Sequence, residues 1–140
     1  MKRCHLDANV VLRFLRNDDP QLSAAARRLI ENAQAGRIVL LLSPVTIAEV
    51  FYAFRASYKM PRADTARLLS SLLRTSLFEV EHEDRVLDTL QHVVNLNVDF
   101  GDAYLAATAI GSKESVASFD EDFRKFAGLE RYSLLANVRL

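Results

Sequence analysis

Residues Ile38–Met60 read IVLLLSPVTIAEVFYAFRASYKM, and this stretch decides the architecture. Ile38 to Leu42 is an unbroken aliphatic run bounded by turn signals, the pattern of a short strand buried on both faces. Ser43-Pro44 follows at once, pairing a hydroxyl suited to a helix N-cap with a proline suited to the first helical position. The helix it opens can run to about Met60. A strand feeding directly into a capped helix is the building unit of an α/β domain with a mostly parallel sheet.

The same unit recurs on the N-terminal side. Arg3 to Leu6 reads as a first strand, Asp7 closes it, and a helical stretch begins at about Val10. Asp19-Pro20 repeats the cap and proline; Leu22, Ala25, Ala26, Leu29, Ile30 and Ala33 then recur at helical spacing as far as Gly36. On the C-terminal side Pro61 precedes a helix from Arg62 to about Thr75, Phe78 to Val80 reads as a strand, and Glu83 to Leu96 as an amphipathic helix. Phe100 to Gly111 is apolar nearly all round, which predicts an interior helix close against a sheet. Val116 to Ser118 is expected to form a short strand, Glu121 to Phe126 a short helix and Tyr132 to Leu135 a last strand.

The chain of 140 residues fits one domain, expected over residues 1–140, and needs no disulfide or structural metal to bury a core. With 50% hydrophobic and 26% charged residues it has globular rather than disordered composition. Lysine plus arginine balance aspartate plus glutamate at 18 each, which excludes nucleic-acid coating by bulk charge and leaves only a local patch. Cys4 is the single cysteine, so neither a disulfide framework nor a cysteine zinc site is available; it reads as a buried strand residue. No apolar run spans a membrane, and Asp7 and Asn9 interrupt any signal-like start, so a soluble, cytoplasmic protein is expected.

Function in α/β sheets collects at the carboxyl ends of strands and the starts of the following helices. Asp7, Glu49, Asp99, Asp102, Asp120 and Asp122 all map to that edge. Taken singly, each has a structural explanation: Asp99 as an N-cap, Asp102 as a first-turn acid favoured by the helix dipole, Asp120 or Asp122 as a cap, and Glu49 as part of a solvated face. Asp7 is the hardest to explain so, because a carboxylate within an aliphatic strand-to-helix junction is costly unless paired. Two carboxylates about 4 Å apart repel by about 4 kcal/mol at an effective dielectric of about 20. Converging four of them would offset much of a domain's stability of about 5–15 kcal/mol. No lysine stands beside these acids in the reading of the sequence, so a hard divalent cation is the economical solution, and an aspartate, glutamate and water set suits Mg²⁺ or Mn²⁺. His5, His82 and His92 lack metal-ligand spacing, the four glycines form no phosphate loop, and no Ser/His/Asp or Cys/His arrangement stands out.

The strings HLDANVVLRFL, SPVTIAEVFYAF, DFGDAYLAATA and SFDEDF, in that order, resemble the PIN-domain nucleases and more closely the VapC-like toxins of prokaryotic toxin–antitoxin pairs. On that resemblance Asp7, Glu49, Asp102 and Asp120 match the family's acidic quartet. Asn9 matches the asparagine that commonly follows the first aspartate. Thr46 and Ser118 match hydroxyl positions, Ser118 standing where threonine is more usual. Asp99 and Asp122 are additional acids often seen in such toxins. The resemblance implies a three-layer α/β/α sandwich, Mg²⁺-dependent RNA cleavage, homodimerisation and a cognate antitoxin that blocks the site.

In that role Asp7 and Asp102 are expected to hold metal directly. Glu49 and Asp120 would ligate a second ion or orient the attacking water, while Asn9 and Ser118 would fix the carboxylates by hydrogen bonds. Arg13, Arg16 and Arg124 are possible phosphate contacts, and equally plain surface arginines. The helices Ser43 to Met60 and Arg62 to Thr75 offer apolar surface either to a second subunit or antitoxin, or simply to the core. Two rivals stay open. One is an aspartyl-phosphate phosphotransfer enzyme, for which Asn9 is a poor proton donor; the other is a non-catalytic interaction module of PIN-like architecture.

Overall fold

The structure, a computed structural model, describes residues 1–135; the last five residues of the expected 1–140 domain lie outside it. Strand β1 (Lys2–His5) leads into helices α1 (Ala8–Arg16) and α2 (Pro20–Gln34), then β2 (Ile38–Leu42), α3 (Pro44–Ala56) and α4 (Arg62–Leu73). β3 (Phe78–Val80), α5 (Glu83–Leu96), α6 (Phe100–Ser112) and β4 (Ser115–Val116) follow, then a 3₁₀ turn (Glu121–Lys125) and β5 (Glu130–Arg131). β1, β2 and β3 are parallel neighbours in that order, with Lys2 opposite Ile38 and Leu42 opposite Val80. Helices plus this parallel sheet make an α/β sandwich.

The caps that open α2 and α3 are those the sequence announces. The Asp19 carboxylate accepts from the Leu22 N–H at 3.1 Å, and Ser43 Oγ accepts from the Thr46 N–H at 3.2 Å, each with proline at the first helical position. β2 alternates half-buried and buried positions rather than being fully enclosed, with Leu40 and Leu42 innermost. Cys4 is likewise only half-buried. The apolar faces of α3 (Ile47, Val50, Phe51, Phe54) and α4 (Ala66, Leu69, Leu72, Leu73) are core of this chain, leaving Val45 and Tyr52 exposed.

Several boundaries and one topological expectation are corrected. α1 begins at Ala8, directly after Asp7, rather than at Val10. α3 stops at Ala56 because Lys59 turns left-handed and Met60 precedes a proline, which disfavours helix there. α4 ends at Leu73, where the Thr75 hydroxyl donates to the Leu72 carbonyl. α6 is not interior all round: Phe100, Ala103, Ala106 and Ala109 form its buried stripe, and Leu105 on another face is 48% exposed. β4 and β5 pair only with each other, as a separate two-stranded parallel ladder, and the last strand precedes Tyr132 instead of starting there. The acids therefore lie along two ladders, not one sheet edge. Among the described residues no helix is long and apolar enough to cross a membrane.

Candidate metal centre

Helix α6 starts at Phe100, so Asp102 falls in its first turn, where the unpaired N–H groups and the helix dipole favour a negative side chain. The chain after β4 brings two more acids to the same place by a run of short-range turns. Ser118 Oγ accepts from the Asp120 N–H at 2.9 Å, and Asp120 Oδ1 accepts from the Asp122 N–H at 2.9 Å. Asp120 thereby caps the 3₁₀ turn, as its position suggests, and spends one carboxylate oxygen on it. The result is a group of three carboxylates, Asp102, Asp120 and Asp122, each offering an oxygen within 4.8 Å of the others.

The electrostatic consequence falls on Asp102. Burial, and then the charges of Asp120, Asp99 and Asp122, push its carboxyl above the usual aspartate range, while Arg62 pulls the other way. The donor chemistry fits a hard divalent cation: oxygen-only ligands, more than one negative charge, and one carboxyl whose ionised form lacks compensation. One lysine does stand beside this group, contrary to the reading of the sequence. Lys125 Nζ lies 3.4 Å from Asp122 Oδ1, one helical step away, so Asp122 is partly neutralised from the solvent side.

Asp7 and Glu49 lie outside the group of three. Asp7 occupies the N-cap position of α1 in extended conformation but makes no cap hydrogen bond with its side chain. It is exposed, so the burial cost expected of it does not arise: the buried positions of the junction are its neighbours Leu6 and Ala8. Glu49 is also exposed, between buried Ile47 and Val50.

Helix α3 nevertheless ties these acids to the start of α6. Thr46 Oγ1 donates to the Leu6 carbonyl at 3.3 Å, next to Asp7, and the Gly101 N–H donates to the Tyr52 hydroxyl at 3.0 Å, next to Asp102. Thr46, Glu49 and Tyr52 follow one another at three-residue steps, a surface row of the helix that spans about 9 Å of rise. Glu49 thus stands midway between the end of β1 and the start of α6. Tyr52 carried no signal in the sequence beyond an apolar context; its role depends on a partner 49 residues away.

The remaining positions have identifiable partners. Asp99 holds the N-cap position of α6 but makes no cap bond; instead it grips Arg62 by two hydrogen bonds of 3.0 Å, while Arg62 also donates to the Asn97 carbonyl. Asn9 is exposed on α1 and lines a groove of about 470 Å³ against Leu22, Ala25 and Leu29 of α2. Arg13 pairs with Asp18 at 2.9 Å, Arg16 lies over the Tyr58 ring at 3.5 Å, and Arg124 pairs with Glu121. All three arginines therefore have intramolecular partners.

No curated protein matches the chain significantly. The PIN domain family profile matches residues 5–129, from the strand before Asp7 to the turn after Asp122. That match covers well over half of the sequence, and with the parallel sheet and the carboxylate group it assigns the chain to the PIN domain family, whose members are in general metal-dependent nucleases.

Proposed function

We propose that this chain is a Mg²⁺-dependent endoribonuclease (Mn²⁺ able to substitute) that hydrolyses RNA phosphodiester bonds as the toxin of a toxin–antitoxin pair. On this reading it works in the cytoplasm as a homodimer, and a cognate antitoxin holds it inactive. The observation that supports it is the convergence of Asp102, Asp120 and Asp122, carboxylates that repel one another where they meet.

Asp102, Asp120 and Asp7 would hold the metal, with Glu49 reaching the same place from α3. A bound divalent ion would supply positive charge to the scissile phosphate and acidify the attacking water. The chain's own part is positional. Ser118 fixes the backbone of Asp120, and the Asp122 N–H holds one oxygen of its carboxylate. Thr46 anchors the end of β1, and through it the backbone before Asp7. The Tyr52 hydroxyl holds the first turn of α6, and through it Asp102. Glu49, on the row of α3 between Thr46 and Tyr52, would ligate a second ion or orient the attacking water. Asn9, two residues after Asp7, would hydrogen-bond the Asp7 carboxylate.

The test is cleavage of a mixed RNA pool by the purified chain with Mg²⁺ and with EDTA. Asp7→Ala and Asp102→Ala should each abolish metal-dependent cleavage with the circular dichroism spectrum unchanged. Retained Mg²⁺-dependent cleavage in the double variant refutes the site. The toxin assignment is tested separately: induced expression should arrest bacterial growth, and co-expression of a cognate antitoxin should relieve the arrest.

A further inference from the structure

The small ladder that carries part of the acid group also carries aromatic surface the fold does not use. Phe119 is 77% exposed and Tyr132 is 63% exposed. β4 and β5 run parallel with Val116 opposite Arg131, and the Tyr132 N–H donates to the Val116 carbonyl at 2.8 Å. The ladder therefore sets Tyr132 beside Ala117, two residues before Phe119. Phe119 itself sits between Ser118 and Asp120, whose mutual hydrogen bond fixes the turn. Its Cα is one peptide step, about 3.8 Å, from that of Asp120, whose carboxylate belongs to the candidate metal group. Among the described residues the aromatic contacts join Phe51 with Tyr52 and Phe100, Phe100 with Tyr104, Phe54 with Tyr58, and Phe126 with Phe123 and His92, and neither exposed ring takes part.

The charges of the same rim are already shared. Arg124 and Arg131 both face Glu121, and Lys125 faces Asp122. Among the described residues of this rim a polyanion meets little free positive charge, so attraction to its phosphates is weak there and another source of affinity is needed. Flat apolar rings next to a phosphodiester-cleaving centre offer one, since every base has a π-face to stack on them.

We propose that Phe119 and Tyr132 form a stacking platform for unpaired bases of single-stranded RNA, holding the strand so that a neighbouring phosphate falls at Asp102, Asp120 and Asp122. This rests on the ribonuclease reading. It makes the substrate a single strand or an open loop rather than a duplex, because paired bases are already stacked.

The chain contains no tryptophan, so Phe119→Trp and Tyr132→Trp each introduce a single fluorescent reporter. Hexa-adenylate is titrated into each Ca²⁺-loaded protein, and the indole emission should be quenched on binding with affinity close to wild type. Phe119→Ala and Tyr132→Ala should each weaken hexa-adenylate binding by about 5- to 100-fold. A hexamer of abasic ribose phosphates should bind wild type and variants alike, and Mn²⁺ affinity by electron spin resonance should be unchanged. Alanine variants that bind hexa-adenylate like wild type, an unquenched reporter, or a wild-type protein that does not bind the oligomer overturn the platform. Self-association lost in the alanine variants, with oligomer affinity intact, overturns it in favour of a protein interface. Failure of the ribonuclease reading looks different: the wild type then neither cleaves RNA nor binds Mn²⁺.

Discussion

Asp102 carries the electrostatic strain of the molecule, and the sign of its effect follows from its surroundings. Burial and three neighbouring aspartates raise its pKa in the folded chain above the unfolded value, against the pull of Arg62. The folded state therefore keeps a proton at pH values where the unfolded chain has lost it. The stability this proton represents is complete below the ordinary aspartate pKa and disappears as pH rises through the raised one. At neutral pH and without metal, the ionised Asp102 is a liability. Asp102→Asn should accordingly raise the Tm of the metal-free protein at pH 7 by about 1–3 °C and change it little below about pH 3.5. The same variant should lose any stabilisation by Mn²⁺. Scanning calorimetry of both proteins, with and without Mn²⁺ and at both pH values, checks all of this. A lower metal-free Tm for the variant at pH 7 would show that the carboxylate serves the fold and not an ion. The two-bond fork between Arg62 and Asp99 belongs to the same balance. Arg62→Ala frees the Asp99 charge and removes the one cation among the described residues that opposes the upward shift, so Mn²⁺ binding by the variant should fail at higher pH than in the wild type.

Helix α3 is the element that relates the two ends of the site, and its own start is secured locally. Ser43→Ala removes the N-cap and the hydroxyl that donates to Thr46 Oγ1 at 3.2 Å; it should cost about 1 kcal/mol in a denaturant melt. At the far end, a Cβ added to Gly101 would meet the Tyr52 hydroxyl at 3.2 Å, so the tyrosine must give slightly or the helix must shift. In isolation an alanine inside a helix gains about 1 kcal/mol over glycine, while Tyr52→Phe should lose about 0.5–1.5 kcal/mol with its hydrogen bond. The two changes are coupled. Gly101→Ala should stabilise the Tyr52→Phe protein more than it stabilises the wild type, a non-additivity that four denaturation curves measure. Additive changes would mean that the contact between α3 and α6 carries no strain. The contrast between these two ends explains what a reader of the sequence can find. Ser43-Pro44 and Asp19-Pro20 act on residues three positions away, and both caps are legible in the string itself. Tyr52 with Gly101, and Arg62 with Asp99, act across 49 and 37 residues and leave no periodicity or motif behind.

At the scale of the molecule, the acids are divided between two ladders that share no strand. Asp7 follows β1 and Glu49 lies on α3, both attached to the three-stranded sheet, whereas Asp120 and Asp122 follow β4 in the two-stranded ladder. Alternating strands and helices were enough to read a parallel α/β architecture and the order of its elements. They could not reveal that β4 leaves the main ladder, because a two-residue strand has no hydrophobic alternation to distinguish its partner. For the same reason Asp122, outwardly a helix-capping acid, could not be ranked beside Asp102 before the turn built by Ser118 and Asp120 was known. A cation is the natural link between the two halves, and hydrogen exchange can tell how far it reaches. Saturating Mn²⁺ at about 100 times its Kd should stabilise the fold by about 2.7 kcal/mol. If Asp7 and Glu49 complete the coordination, Mn²⁺ should slow exchange both at the amides of Leu6–Val10 and at those of Ser118–Asp122. If the ion is held by Asp102, Asp120 and Asp122 alone, protection should appear only in the second segment, and Asp7→Ala should leave Mn²⁺ affinity unchanged while Asp120→Ala destroys it. The first outcome is expected, because α3 sets Glu49 midway between the two ends and neither Asp7 nor Glu49 caps a helix or lies buried.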